Sequence, residues 1–139
     1  MKFKKVDHIG IAVPDLEAAV KIYTTLLGKG PEHYETVEEQ KATTAFFAVD
    51  DTNLEFLQST SPDSPIGKFI EKNSGRGGIH HICLQVENIE MVLEDYKKKG
   101  IQLIDQKPRI GAHGKKIAFV HPKSTGGVLL ELSEPMKAH

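Results

Sequence analysis

The stretch Gly77-Gly78-Ile79-His80-His81-Ile82-Cys83-Leu84-Gln85-Val86 reads as a β-strand entered through a glycine turn. Successive strand side chains leave on opposite faces. Ile82, Leu84 and Val86 therefore share one face with His80, and His81 shares the other with Cys83 and Gln85. His81 thus projects from the less apolar face, where a cavity would lie. A stretch near the start repeats the arrangement: Val6-Asp7-His8-Ile9-Gly10-Ile11-Ala12-Val13. Ile9, Ile11 and Val13 form its apolar face, and His8 stands with Gly10 and Ala12 on the other.

The two stretches align over more than the strand. With His8 set on His81, Ile9 meets Ile82, Val13 meets Val86, Asp15 meets Asn88, Leu16 meets Ile89, Glu17 meets Glu90 and Tyr23 meets Tyr96. A repeat of about half the chain predicts two similar modules. A single strand histidine is most often solvated or hydrogen-bonded. A histidine at the same place in each of two copies points instead to two ligands related by pseudo-symmetry.

Outward from these strands, each module reads β-α-β-β-β. After the strand Phe3–Val13, Asp15 is placed to cap a helix whose apolar stripe is Leu16, Ala19, Val20, Tyr23, Leu26 and Leu27, closed by Gly28. Strands follow through His33–Thr36, Ala42–Val49 and Leu54–Leu57. Ser64-Pro65 opens a short helix to about Lys72 with Ile66, Phe69 and Ile70 inward, and Asn73–Gly78 has linker chemistry. In the second module Asn88 caps a helix carrying Ile89, Val92, Leu93 and Tyr96, ended by Gly100. Strands are predicted at Ile101–Ile104, Lys116–Val120 and Val128–Leu132, with a tight turn at Gly111–Gly114. The expected organisation is a single domain over 1–139. Module 1 runs over about 3–58, a connector over about 59–78 and module 2 over about 79–134.

The chain has 139 residues and a formal net charge of −1. That size supports a real core. No basic field exists to hold nucleic acid or an anionic membrane, so neither is an expected partner. No apolar run approaches a membrane span, and the basic Met1–Lys5 segment leads straight into a strand without signal-like character. Cys83 is the one cysteine, which fits a reducing, cytoplasmic setting.

Each module also carries one glutamate in its last, otherwise apolar strand: Glu55 between Leu54 and Phe56, and Glu131 between Leu130 and Leu132. His8 lies 47 residues before Glu55 (55 − 8) and His81 lies 50 before Glu131 (131 − 81). A carboxylate in an apolar strand is costly to bury unless it is paired or bound to a metal. Two imidazoles and two carboxylates brought together would hold one divalent ion, with Co, Mn, Ni, Fe or Zn suited to the mixed nitrogen and oxygen set.

These features resemble the vicinal oxygen chelate superfamily, which includes glyoxalase I, and within it the methylmalonyl-CoA epimerase family. The matching segments are Asp7–Val13, Leu54–Leu57, Ser61–Ile66, Gly78–Ile82, Gly111–Lys115 and His121–Leu132, the last being the most specific. The resemblance implies an α+β fold, in which the two modules form a cupped mixed sheet around one metal (Co, Mn, Ni or Zn) held by His8, Glu55, His81 and Glu131. It implies an acyl-CoA substrate, a homodimer, and epimerisation by α-proton abstraction through a metal-stabilised enolate, with Glu131 as a catalytic acid or base. The family's second glutamate aligns with Thr44, which has no useful basicity near neutral pH; Glu55, a metal-bound water or His113 then takes that role. His113, in its glycine turn, and Lys123 are candidate substrate contacts. His80 reads as structural, and His33, His121 and His139 have no repeat partner and no assigned role. Competing readings with the same fold are a glyoxalase I-like (lactoylglutathione lyase) isomerase, an extradiol-type dioxygenase and a metal-free small-molecule-binding module.

Overall fold

The structure, a computed structural model, describes residues 2–136; His139 lies outside them. The class is α+β. The strands are β1 (Phe3–Ala12), β2 (His33–Val37), β3 (Ala42–Val49), β4 (Thr52–Ser59), β5 (Gly78–Val86), β6 (Arg109–Ile110), β7 (Lys116–Val120) and β8 (Leu130–Glu134). The helices are α1 (Leu16–Leu27), α2 (Pro65–Lys72) and α3 (Ile89–Lys98). The chain divides into two compact units: one ends at His8 and resumes at His81, and the other is Ile9–His80. β1 and β5 each run from one unit into the other.

In the Ile9–His80 unit the strand order is β2-β3-β4-β1, with β2, β3 and β4 antiparallel. Alternation sends Ala45, Phe47 and Phe56 to one face, where they pack against Leu16 and Ala19 of α1. The predicted cap is present: the Ala18 N–H donates to Asp15 Oδ1 at 3.2 Å, and Gly28 ends the helix at φ 73°. Leu26 departs from its predicted place and is 68% exposed. It lies about 80° around the helix from Leu16 at about 100° per residue, on the rim of the stripe. α2 begins at Ser64, whose Oγ accepts from the Gly67 N–H, and Ile66, Phe69 and Ile70 face inward. Gly77, ahead of β5, leaves no room for a side chain, because a Cβ there would sit 2.4 Å from the Ala12 carbonyl oxygen.

In the other unit the order is β1-β5-β8-β7-β6, with β5 parallel to β8 and β8 antiparallel to β7. Val86, Ala118, Val120 and Leu132 form the apolar face under Ile89, Val92 and Leu93 of α3. Ile101–Ile104 does not form the predicted strand and makes one bridge, Leu103 to Val120. The ladder fails because Ile104 and Asp105 both donate their N–H to the Phe119 carbonyl, while the Asp105 carboxylate takes the Phe119 N–H. β8 begins at Leu130, not Val128, since the Val128 carbonyl accepts the Thr125 hydroxyl and stays in the loop.

The repeat is visible in two further details. Glu55 registers opposite Phe46 and Glu131 opposite Phe119, each on the preceding antiparallel strand. Three residues past each glutamate, a side chain caps the module's own helix: Gln58 Oε1 accepts from the Leu16 N–H at 2.6 Å, and Glu134 Oε1 from the Ile89 N–H at 2.8 Å. These caps pin each helix to the strand that carries the glutamate. Leu132→Ala, opening a cavity under α3, is expected to cost about 2–5 kcal/mol in urea unfolding; a change under about 0.5 kcal/mol contradicts the packing described.

Candidate metal centre

His8, His81 and Glu131 meet in one unit, on the face opposite the α3 core. β5 and β8 register Cys83 with Glu131, so the alternation that buries Leu84 and Leu132 under α3 turns His81, Cys83 and Glu131 the other way. The two histidines and Glu131 are only 5–7% exposed. His8 Nε2 is 3.0 Å from His81 Nε2, and Glu131 Oε1 is 3.1 Å from each. The two imidazoles meet edge to face, with ring centres 5.1 Å apart. Phe119, across from Glu131, packs its ring edge-on to His81 and carries Arg109 over its own face at 5.6 Å.

Metal–ligand bonds of about 2.0–2.2 Å put adjacent ligands of an octahedron about 2.8–3.1 Å apart and those of a tetrahedron about 3.3–3.6 Å apart. At 3.0–3.1 Å the three donors are close enough together that they would hold one such ion. The donors, two imidazoles and a carboxylate, suit a first-row divalent metal.

Burial alone would raise the Glu131 pKa, but hydrogen bonds and charge from His8 and His81 outweigh it and hold the carboxyl down at about 2. Asp7, to which the sequence pattern assigns no role, is buried behind His8. Its Oδ2 lies 2.7 Å from His8 Nδ1, and its Oδ1 accepts from Lys115 Nζ at 2.9 Å. Burial opposes ionisation of Asp7, and the His8 and Lys115 hydrogen bonds overcome it, leaving its pKa well below the carboxylate range. Neighbouring strand residues point to opposite faces, so alternation gave no reason to bring Asp7 to His8. Cys83 joins Asp7 and His8 as a second donor group. Burial pushes its thiol up to about 11, so in the metal-free protein it stays protonated near neutral pH.

The other predicted site residues lie on β3, β4 and two turns. Glu55 is buried on β4 in the Ile9–His80 unit. Thr44 is buried on β3, opposite Glu35 and Leu57. His113 is exposed in the turn Ala112–Gly114, at φ 60°, and Lys123 is exposed in the short turn Pro122–Ser124. His33 stacks on Phe46, His80 meets Phe69 edge-on, and His121 Nδ1 accepts the Lys123 N–H.

The family model described as Glyoxalase/Bleomycin resistance protein/Dioxygenase superfamily matches residues 7–119, and the chain belongs to that superfamily. Within it, the chain is 42% identical over 130 residues to the mitochondrial methylmalonyl-CoA epimerase of Homo sapiens, covering 94% of this chain and 73% of that protein. It is 40% identical over 131 residues to the ethylmalonyl-CoA/methylmalonyl-CoA epimerase of Cereibacter sphaeroides, covering 94% and 97%. A point variant of the Streptomyces coelicolor methylmalonyl-CoA epimerase, solved in complex with 2-nitronate-propionyl-CoA, superposes with a TM-score of 0.92 at 35% identity over 99% of both chains.

Glu131 titrates lower in the fold than its ordinary value near 4.5. Its contribution to stability is therefore complete above about pH 4.5 and is lost as pH falls toward about 2. Metal-free protein is expected to lose stability over that window more steeply than Glu131→Gln, read from urea midpoints; parallel acid limbs contradict the pairing.

Proposed function

We propose that this chain is a divalent-metal-dependent epimerase acting on methylmalonyl-CoA. The observation that supports it most is the His8–His81–Glu131 donor triangle, in a chain whose relatives bear the epimerase name. His8, His81 and Glu131 hold the ion in this reading. Glu55 is the fourth ligand, on the grounds that its register opposite a phenylalanine and the capping side chain three residues on repeat those of Glu131. Cobalt, manganese, nickel or zinc fits the donor set. When bound, a divalent cation supplies Lewis-acid polarisation of the thioester carbonyl, which makes the α-proton removable.

The protein side of the reaction is proton movement and placement. Epimerisation takes the α-proton from one face and returns one to the other. Glu131, held ionised, is the residue proposed to move it. Thr44 cannot serve opposite, since a hydroxyl is not basic near neutral pH; Glu55 and His113 are the titratable groups proposed for that face. His113 and Lys123 are proposed to contact the acyl-CoA, with Lys123 offering charge to its phosphates. A homodimer and a cytoplasmic setting accompany this reading, the first from the family resemblance alone and the second from a single cysteine. Among the described residues no helix is long and apolar enough to cross a membrane.

Metal-replete protein is expected to exchange the α-proton of methylmalonyl-CoA with solvent deuterium. Chelation or His81→Ala should slow that exchange by about a thousandfold or more, the several kcal/mol a Lewis acid provides. No exchange by metal-replete protein overturns the proposed reaction. Glu55→Ala is expected to weaken metal binding measured by calorimetry, and unchanged affinity removes Glu55 from the ligand set.

A further inference from the structure

Asp7 has no part in the proposed reaction, yet the residue is 4% exposed and both carboxylate oxygens are engaged. Asp7 Oδ1 takes the Lys115 ammonium and Oδ2 faces His8 Nδ1, an arrangement in which the carboxylate accepts and a ring Nδ1–H donates. A neutral His8 with its proton on Nδ1 carries its lone pair on Nε2. Nε2 is the atom that faces His81 and Glu131. Asp7 thereby decides which nitrogen of His8 is offered to an ion. The repeat places His80 at the position matching Asp7, so this device belongs to one module only.

Asp7 is in turn held by Lys115, whose side chain is 23% exposed. Lys115 closes a tight turn: the Gly111 N–H donates to the Lys115 carbonyl at 2.8 Å, and the Lys115 N–H to the Ala112 carbonyl at 3.3 Å. Any side chain at Gly111 would meet Ile117, with a Cβ only 2.7 Å from its Cδ1. The turn contains His113 at φ 60°, a conformation that L-residues adopt only when held. An unbroken line of charge-assisted contacts therefore runs from the His113 turn through Lys115 and Asp7 to His8.

We propose that Asp7 and Lys115 are positioning residues for the metal centre: Asp7 presents His8 Nε2 to the ion, and Lys115 holds Asp7 while tying the Gly111–Lys115 turn to that ligand. The proposal rests on the metal-binding half of the reading above and not on the choice of substrate. Outer partners of metal-bound histidines typically change affinity about 10–100-fold when removed.

The test uses the full chain, stripped of metal and labelled with 15N-histidine. Long-range 1H–15N correlation, at a pH where His8 is neutral, is expected to show the Nδ1–H tautomer in wild type and its loss in Asp7→Ala. Titration with Co2+ is expected to show affinity lowered about tenfold or more in Asp7→Ala. Asp7→Asn should restore part of it, because an amide oxygen still accepts from Nδ1–H. Lys115→Met is expected to lower affinity less and to speed hydrogen exchange at the amides of the Gly111–Lys115 turn. An Nε2–H tautomer in wild type overturns the proposal. So does unchanged Co2+ affinity in both folded variants. If Asp7→Ala does not fold, the wild-type tautomer and Lys115→Met decide. Wild type that binds no Co2+ overturns the metal reading itself, whereas Co2+ binding indifferent to Asp7 and Lys115 removes only their role.

Discussion

A carboxylate oxygen wedged between two imidazole nitrogens, all three within 3.1 Å and nearly out of water, is the constraint on which this structure turns. Two imidazole nitrogens and a carboxylate oxygen crowd their lone pairs together in that space. Water is largely shut out, so what relieves the crowding is a proton or a cation. The surroundings decide between these. The Asp7 carboxylate, 2.7 Å from His8 Nδ1, is placed to take the ring proton on the far side, which would leave the His8 Nε2 lone pair directed at His81 and Glu131.

The rest of the unit keeps these atoms in place. β5 and β8 are parallel and in register at Cys83 and Glu131, while β7 brings Phe119 across from Glu131. On the opposite face Leu132, Val86 and Ala118 are locked under α3. A one-residue slip in any of these strands would turn its ligand into the α3 core. Register is thus enforced by apolar burial on one face, and the polar face inherits that accuracy. The side-chain cap from Glu134 to the first turn of α3 adds a fixed link between the helix and the strand that carries Glu131.

Much of this was legible in the chain before any coordinates. Period-two alternation placed His8, His81 and Glu131 away from the apolar faces, and the internal repeat singled them out from the other histidines. The helix caps at Asp15, Ser64 and Asn88 followed from residue chemistry alone. Asp7 was not legible, because its contact to His8 joins neighbours that alternation separates. The Ile101–Ile104 segment looked like a strand by composition, and its ladder is undone by backbone bonds that converge on Phe119. The caps from Gln58 and Glu134 left a usable signal, a hydrogen-bonding side chain three residues past each strand glutamate. Leu26 shows the limit of stripe counting, since a residue on the rim of the apolar arc satisfies the spacing without being covered.

The proposal that His8, His81 and Glu131 would hold one divalent ion can be tested on that ion's immediate neighbours. X-ray absorption at the cobalt edge of the Co2+-loaded protein reads them directly. The account predicts about six nitrogen and oxygen neighbours near 2.1 Å, with the outer-shell scattering of two imidazoles and no sulfur. A sulfur neighbour would place Cys83 in the site, and scattering from fewer than two imidazoles would break the triangle; either result contradicts the account.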